Sequence, residues 1–258
     1  MAKAKTKSAY VCNECGAEHG KWQGQCGTCG AWNALSRVNI TSVSSAAIGY
    51  AGVTADVKRL SDVEAVNAER IGTGFTELDR VLGGGFVPGS VVLIGGDPGA
   101  GKSTLLLQAS TALAQHHDVL YVTGEESLQQ LALRAQRLQL PMDGLSVAAE
   151  TRAEVIANLV QTQRPKIIIL DSIQVMQMES IDSTPGSVAQ VRETASFFTR
   201  LAKQQDIVIV LVGHITKEGG IAGPKVLEHM IDCFMMLDSP SGSRHRTLRG
   251  HKNRFGAV

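Results

Sequence analysis

The 258-residue sequence has almost no net charge, with 25 lysines and arginines against 24 aspartates and glutamates, and no apolar run approaching the length of a membrane span. Bulk basicity is therefore absent, so any attraction to nucleic acid has to come from local patches or from several copies assembled together. The start, Met1-Ala2-Lys3-Ala4-Lys5-Thr6-Lys7-Ser8, lacks the apolar core of a signal peptide, which predicts a cytoplasmic protein with a solvated basic tail. No internal repeat is evident. Cysteine is nearly missing too: beyond Cys29 there is only Cys233, in the apolar run Cys233-Phe234-Met235-Met236-Leu237, where it reads as a small core residue. With 43% hydrophobic residues, the chain can bury a full-sized core and a small accessory module.

The other cysteines stand together as Cys12-x-x-Cys15 and Cys26-x-x-Cys29. Two such knuckles at this separation suit a tetrahedral Zn²⁺ held by thiolates, a structural site because no open position is left for chemistry. Gly16, Gly27 and Gly30 sit where the backbone must turn tightly around a metal. A reducing compartment disfavours disulfides, and His19 reads as an exposed spare, not a ligand. The expected organisation is a zinc module over 1–37, a Ser/Ala/Gly-bearing linker over 38–57 that separates it from the rest, and a nucleotide-binding domain over 58–258.

That domain is organised around Gly96-Asp97-Pro98-Gly99-Ala100-Gly101-Lys102-Ser103-Thr104, which fits G-x-x-x-x-G-K-[ST]. A β-branched run, Ser90–Ile94, precedes it and a helical pattern beginning at Leu105 follows. Glycines let successive backbone N–H groups curl around an anion, and the helix N-terminus adds its dipole. Lys102 would reach the β- and γ-phosphates of a nucleoside triphosphate, and the Ser103 hydroxyl would hold Mg²⁺.

From Ser90 onward strands and helices alternate, predicting an α/β fold: a mostly parallel sheet with helices on both faces. Thr76 is expected to cap a short helix that ends at Gly83. Ser127 is expected to cap the helix over 128–138, and Thr151 the helix ending at Gln163. Lys166-Ile167-Ile168-Ile169-Leu170-Asp171 is the apolar strand ending in a carboxylate that a Walker B element needs, so Asp171 would emerge beside the Mg²⁺. A loop follows over 174–186, then a helix over 187–205 and a buried strand over 207–212 that stops at His214. Pro224 is expected to start a short helix, 231–237 a strand, and 244–255 a last basic strand.

These residues resemble the RadA, or Sms, family of bacterial DNA-repair ATPases. The likeness rests on the four-cysteine module with Trp22-Gln23-Gly24-Gln25-Cys26, the loop GDPGAGKST, the segment Tyr121-Val122-Thr123-Gly124-Glu125-Glu126-Ser127 and the run Lys252-Asn253-Arg254-Phe255-Gly256. It implies a RecA-like ATPase domain forming a DnaB-like hexameric ring. The implied activity is ATP-driven, helicase-like movement on single-stranded DNA, helping RecA in strand exchange and branch migration. By position, Glu125 matches the glutamate that polarises attacking water, with Glu126 as its rival. His214 matches the residue that senses the γ-phosphate. Lys217, Gly219 and Gly220 fall in a loop resembling a DNA-binding loop, as does 174–186, and Lys252 and Arg254 would be fingers reaching a neighbour's nucleotide. The family continues into a domain resembling Lon protease, which this sequence does not include. Two competing readings are a zinc-bearing interaction protein that uses nucleotide only as a switch, and a clock or signalling ATPase of the same superfamily; the zinc module argues against the latter. A nucleoside kinase is disfavoured because no lid-like basic segment follows the core in the expected order.

Overall fold

The computed structural model describes residues 7–40, 59–62, 69–214, 227–239 and 245–258. The linker expected over 38–57 falls almost wholly outside the described residues, as do Lys217, Gly219, Gly220 and the helix expected at Pro224.

Near the N-terminus, β1 (Lys7–Cys12), β2 (Glu18–His19) and β3 (Leu35–Ile40) form an antiparallel sheet in the order β2-β1-β3. The module has little apolar core, chiefly Cys12, Cys26, Ala34 and Leu35. A fold so small needs a metal or equivalent staple. Contrary to the expectation of a module isolated by its linker, Val11 is buried against Ala189 and Ile181 of the second unit.

The larger unit is a seven-stranded sheet in the order β10-β9-β4-β8-β7-β5-β6. Its strands are β4 (Val91–Gly95), β5 (Val119–Thr123), β6 (Leu145–Ala149), β7 (Ile167–Asp171), β8 (Val208–Val212), β9 (Cys233–Asp238) and β10 (Thr247–Asn253). All neighbours pair in parallel except β9 and β10, so the fold is the expected mostly parallel α/β sheet. The central strands β4, β7 and β8 are buried at every position, as strands covered on both faces must be. Alternation divides their side chains between two cores. Leu93, Leu120, Ile168, Leu170 and Ile209 face α4 (Ala153–Gln163) and α5 (Val188–Gln205). Val92, Ile94, Tyr121, Ile169 and Val210 face α1 (Thr76–Leu82), α2 (Lys102–Leu113) and α3 (Leu128–Arg137).

The helix starts separate into one expected cap and two corrections. Ser127 caps α3 through a full capping box with Gln130. At α1 the N-cap is Phe75 and Thr76 lies inside the helix. The entry is pinned one step earlier, where the Thr73 hydroxyl accepts the Phe75 N–H at 3.2 Å and Asp79 Oδ1 accepts the Thr73 N–H at 2.8 Å. At α4 the N-cap is Arg152, not Thr151, because Glu150 Oε1 takes the Thr151 and Arg152 N–H groups at 2.9 and 3.0 Å. The 174–186 loop is tied down from α5: the Gln190 amide donates to the carbonyls of Met178, Ile181 and Ser183 and accepts the Met178 N–H.

Candidate nucleotide site and metal centre

The strand order decides what meets at the carboxyl edge of the sheet. β4, β8, β7 and β5 are consecutive neighbours, and their ends deliver the phosphate loop, His214, Asp171 and Glu125 to one place. This edge is where open α/β sheets bind ligands.

Gly96 follows β4 with φ +147°, and a Cβ there would lie 2.3 Å from the Leu237 carbonyl oxygen. Only glycine fits so close an approach between the loop and β9. The loop then enters α2 at Lys102, whose buried ammonium donates to the carbonyls of Gly96 at 2.7 Å and Asp97 at 2.9 Å. Burial holds the Lys102 pKa below the usual lysine value, opposed by the attraction of Asp171, Asp97 and Glu125. Ser103 and Thr104 stand on the first turn of α2, directly after the turn through Gly99, Ala100 and Gly101 that follows Gly96-Asp97-Pro98.

Asp171 ends β7 and is almost fully buried. Its Oδ2 accepts the hydroxyl of wholly buried Tyr121 at 2.6 Å, and the Gly124 N–H reaches its backbone carbonyl at 2.7 Å. Burial first, and the Asp171 charge second, push the Tyr121 phenol well above its usual pKa, so it remains a donor.

The two adjacent glutamates point to different partners. Glu125 Oε1 accepts a short hydrogen bond from the Ser172 hydroxyl and lies 3.2 Å from His214 Nε2. Glu126 Oε1 instead takes a close ion pair from Arg134 on α3. Glu125 is thus joined to both the β7 and the β8 strand ends, whereas Glu126 is turned along α3 to Arg134 in its last turn. His214 Nδ1 is buried without a hydrogen-bond partner among the described residues.

A cavity of about 270 Å³ opens over the loop, lined by Lys102, Ser103, Thr104, Arg134, His214 and Arg246. A second, of about 410 Å³, shares Gly101, Thr104 and Arg246 with it and continues past Phe75, Leu105 and Leu248. Arg246, Arg134, Ser172 and Tyr121 were not singled out in the sequence. Arg246 precedes an antiparallel strand, and nothing local reveals that Thr247 pairs with Asp238 and so brings Arg246 back to the loop. Tyr121 and Ser172 lie within or beside the recognised motifs, but their partners are 50 and 47 residues away.

Lys252 and Arg254 lie at the opposite edge. Asn253 pairs with Cys233, which pairs with Val92 near the start of β4, several residues below the phosphate loop. Lys252 donates to the carbonyls of Glu228 and Ile231, and its pKa is lowered by burial and then by Arg254. Arg254 Nη1 sits 3.6 Å from buried Asp232 Oδ1, and its side chain is half exposed. Asp232 Oδ2 meets the Lys203 ammonium and the Val91 N–H, each at 3.0 Å. Asn253 and Arg70 bond the Leu82 carbonyl, and Arg70 also bonds that of Phe255, so the last run is stitched to the end of α1.

In the small module, the ligand atoms of Cys12, Cys15, Cys26 and Cys29 all lie within 4.8 Å of one another. The Cys12–Cys29 and Cys15–Cys26 Sγ separations are both 3.6 Å. A zinc–sulfur bond of about 2.3 Å gives a tetrahedral edge of about 3.8 Å, so the thiols fit Zn²⁺ closely. His19 is half-buried, not exposed: its Nε2 lies 3.4 Å from Cys26 Sγ and its Nδ1 3.0 Å from the Gln23 amide nitrogen. It touches a cysteine of the set without joining it, an outer-shell contact that can orient the thiolate. The Cys29 N–H above all, with help from His19, draws the Cys26 thiol down to about 5, whereas burial pushes Cys15 up to about 12.

Comparison with known proteins bears on the same two units. Residues 56–220 match the AAA domain, and residues 10–37 match the rubredoxin metal binding domain. The DNA repair protein RadA of Haemophilus influenzae is 58% identical over the whole of this chain, and that of Escherichia coli is 57% identical. The DNA repair protein RadA of Bacillus subtilis is 45% identical over 99% of the chain. In each case the chain spans 57% of the relative's own length.

Proposed function

The chain belongs to the RadA family of DNA repair proteins and carries an AAA domain with a zinc-binding module, and on that premise we propose that it is an ATP-driven motor acting on single-stranded DNA. The observation that carries this reading is the joining of Glu125 to Ser172 and His214 at the carboxyl edge where the phosphate loop and Asp171 converge.

The loop N–H groups and Lys102 would hold the β- and γ-phosphates, Lys102 exchanging the Gly96 and Asp97 carbonyls for phosphate oxygens. Ser103 and Asp171 would hold Mg²⁺, which would supply neutralisation of phosphate charge; the Tyr121 hydroxyl, donating to Asp171 Oδ2, holds that carboxylate in place. The larger cavity, apolar at Phe75, Leu105 and Leu248, suits the nucleoside. Glu125 would orient the attacking water and accept its proton. A water orienter that shares an oxygen with His214 also links the γ-phosphate to the segment after β8, where Lys217, Gly219 and Gly220 are proposed to touch DNA.

Lys252 and Arg254 lie too far down the sheet to serve this cavity in their own chain, which supports delivery to a neighbour in a head-to-tail ring, hexameric in the proposed assembly. Arg254 is the half-exposed cation of the two, its Nη2 donating to the His229 carbonyl at 3.2 Å, while Lys252 is held more deeply by the Glu228 and Ile231 carbonyls. The wider role proposed is strand exchange and branch migration with RecA, inside the cytoplasm; no described helix is long and apolar enough to cross a membrane.

The direct test is the ATPase rate with and without single-stranded DNA, read beside the mass of the protein in solution. A motor gives hydrolysis that rises with DNA. Hydrolysis indifferent to DNA, by an assembled ring, would leave the nucleotide as a switch only.

A further inference from the structure

Resting on the nucleotide reading above and deepening it, we propose that Arg134 of α3 reads the terminal phosphate of ATP from within the same chain, exchanging Glu126 for that phosphate. Arg134 stands three residues after buried Leu131 and one before buried Ala135, so it lies on the inner flank of α3 and not on its solvent face. Its side chain is only 18% exposed. One arm of the guanidinium, Nη2, meets Glu126, while Nη1 is buried with no hydrogen-bond partner among the described residues. Leaving such a donor unmet is costly, and a guanidinium fork suits phosphate as well as carboxylate.

The same side chain lines the cavity over the loop together with Lys102, Ser103 and Thr104. Lys102 and the loop N–H groups account for the phosphates closest to α2. Arg134 and His214 line the same cavity, and the outermost phosphate is the group left for them to meet. Because ADP ends before that point, Arg134 contributes to discrimination between the two nucleotides. The plain structural role, an ion pair fastening the last turn of α3 to Glu126 just ahead of its N-cap, uses one arm of the fork and does not account for the other.

The test is isothermal titration of the full chain with Mg²⁺ and either ATPγS or ADP, comparing wild type, R134M and E126Q. We expect R134M to lose roughly tenfold to a hundredfold in ATPγS affinity, as for a hydrogen bond to a charged group, with ADP affinity held within about twofold. E126Q breaks the same ion pair yet should keep the preference for ATPγS. Equal effects of R134M and E126Q, or an R134M protein with the wild-type ratio of affinities, would overturn the inference, as would parallel loss of ADP binding. If R134M does not fold, R134K keeps the charge and loses the fork, and should show a smaller loss confined to ATPγS. Absence of binding of either nucleotide to wild type would remove the proposed function, and this inference with it.

Discussion

Glu125 and Glu126 are adjacent and chemically alike, so what separates them is the group each meets. Ser172 and His214 hold the first, and Arg134 the second. Substituting Glu125 by Gln keeps its shape and removes its basicity, and should lower hydrolysis by about 10²–10⁴-fold while nucleotide binding persists. Stopped-flow product release and a binding isotherm on the same preparation check this; hydrolysis at the wild-type rate would reassign the base. Lys102→Ala should abolish hydrolysis with the fold intact, since the loop's course is set by positions such as Gly96. Its circular dichroism and phosphate release are the readouts. Tyr121→Phe leaves Asp171 Oδ2 without its buried donor and should cost about 1–3 kcal/mol in a urea melt. The phosphate loop and the Asp171 strand end were legible because local pattern carries them. Tyr121, Ser172 and Arg134 were not, because their meaning depends on partners that only tertiary structure supplies.

At the scale of elements, apolar runs such as Ile167–Leu170 and Ile207–Val212 announced buried strands, since a strand covered on both faces has no polar alternation to confuse it. Helix starts were less legible. Thr151 looks like a cap, yet the neighbouring Glu150 carboxylate reaches the same N–H groups and also grips the Arg152 guanidinium. The Arg152 side chain, with those N–H groups, holds the Glu150 carboxyl at about 2, against an ordinary 4.5. A folded-state pKa below the unfolded one stabilises above the unfolded pKa, and that stability is lost as pH falls through the folded pKa. Glu150→Gln should therefore lower stability by about 1–2 kcal/mol at neutral pH, the pair being partly solvated, and the gap from wild type should narrow steadily below about pH 4.5. Thermal melts from pH 7 to pH 3 check it; a gap that widens with acid contradicts the capping role. In the zinc module the cysteine spacing was fully legible, whereas the His19 contact with Cys26 was not, because β2 turns it inward. Cys26→Ser with Cys29→Ser should release zinc and unfold β1–β3, exposing Ala189 where Val11 now covers it, with ATP binding retained. Metal analysis and amide exchange across 7–40 and around Ala189 are the measurements.

For the whole molecule, the parallel α/β plan followed from the alternation of elements, but the return of β10 did not. That antiparallel strand places Arg246 at the phosphate-loop edge and Lys252 and Arg254 at the other, so one basic stretch serves two ends of the sheet. The proposal to test is that ATP is hydrolysed at a site assembled from two chains, with the loop and Glu125 from one and Arg254 from the next. Lys102→Ala and Arg254→Ala proteins should each be inactive, and Arg254→Ala should still fold, because Lys203 remains on Asp232. Mixed in equal amounts and allowed to reassemble, about a quarter of head-to-tail interfaces pair an intact loop with an intact finger. The measurement is the ATPase rate of that mixture in the presence of single-stranded DNA, beside each variant alone. Activity well above both parents is the predicted result; mixed rings that form yet hydrolyse no faster than either parent would contradict a site shared between chains.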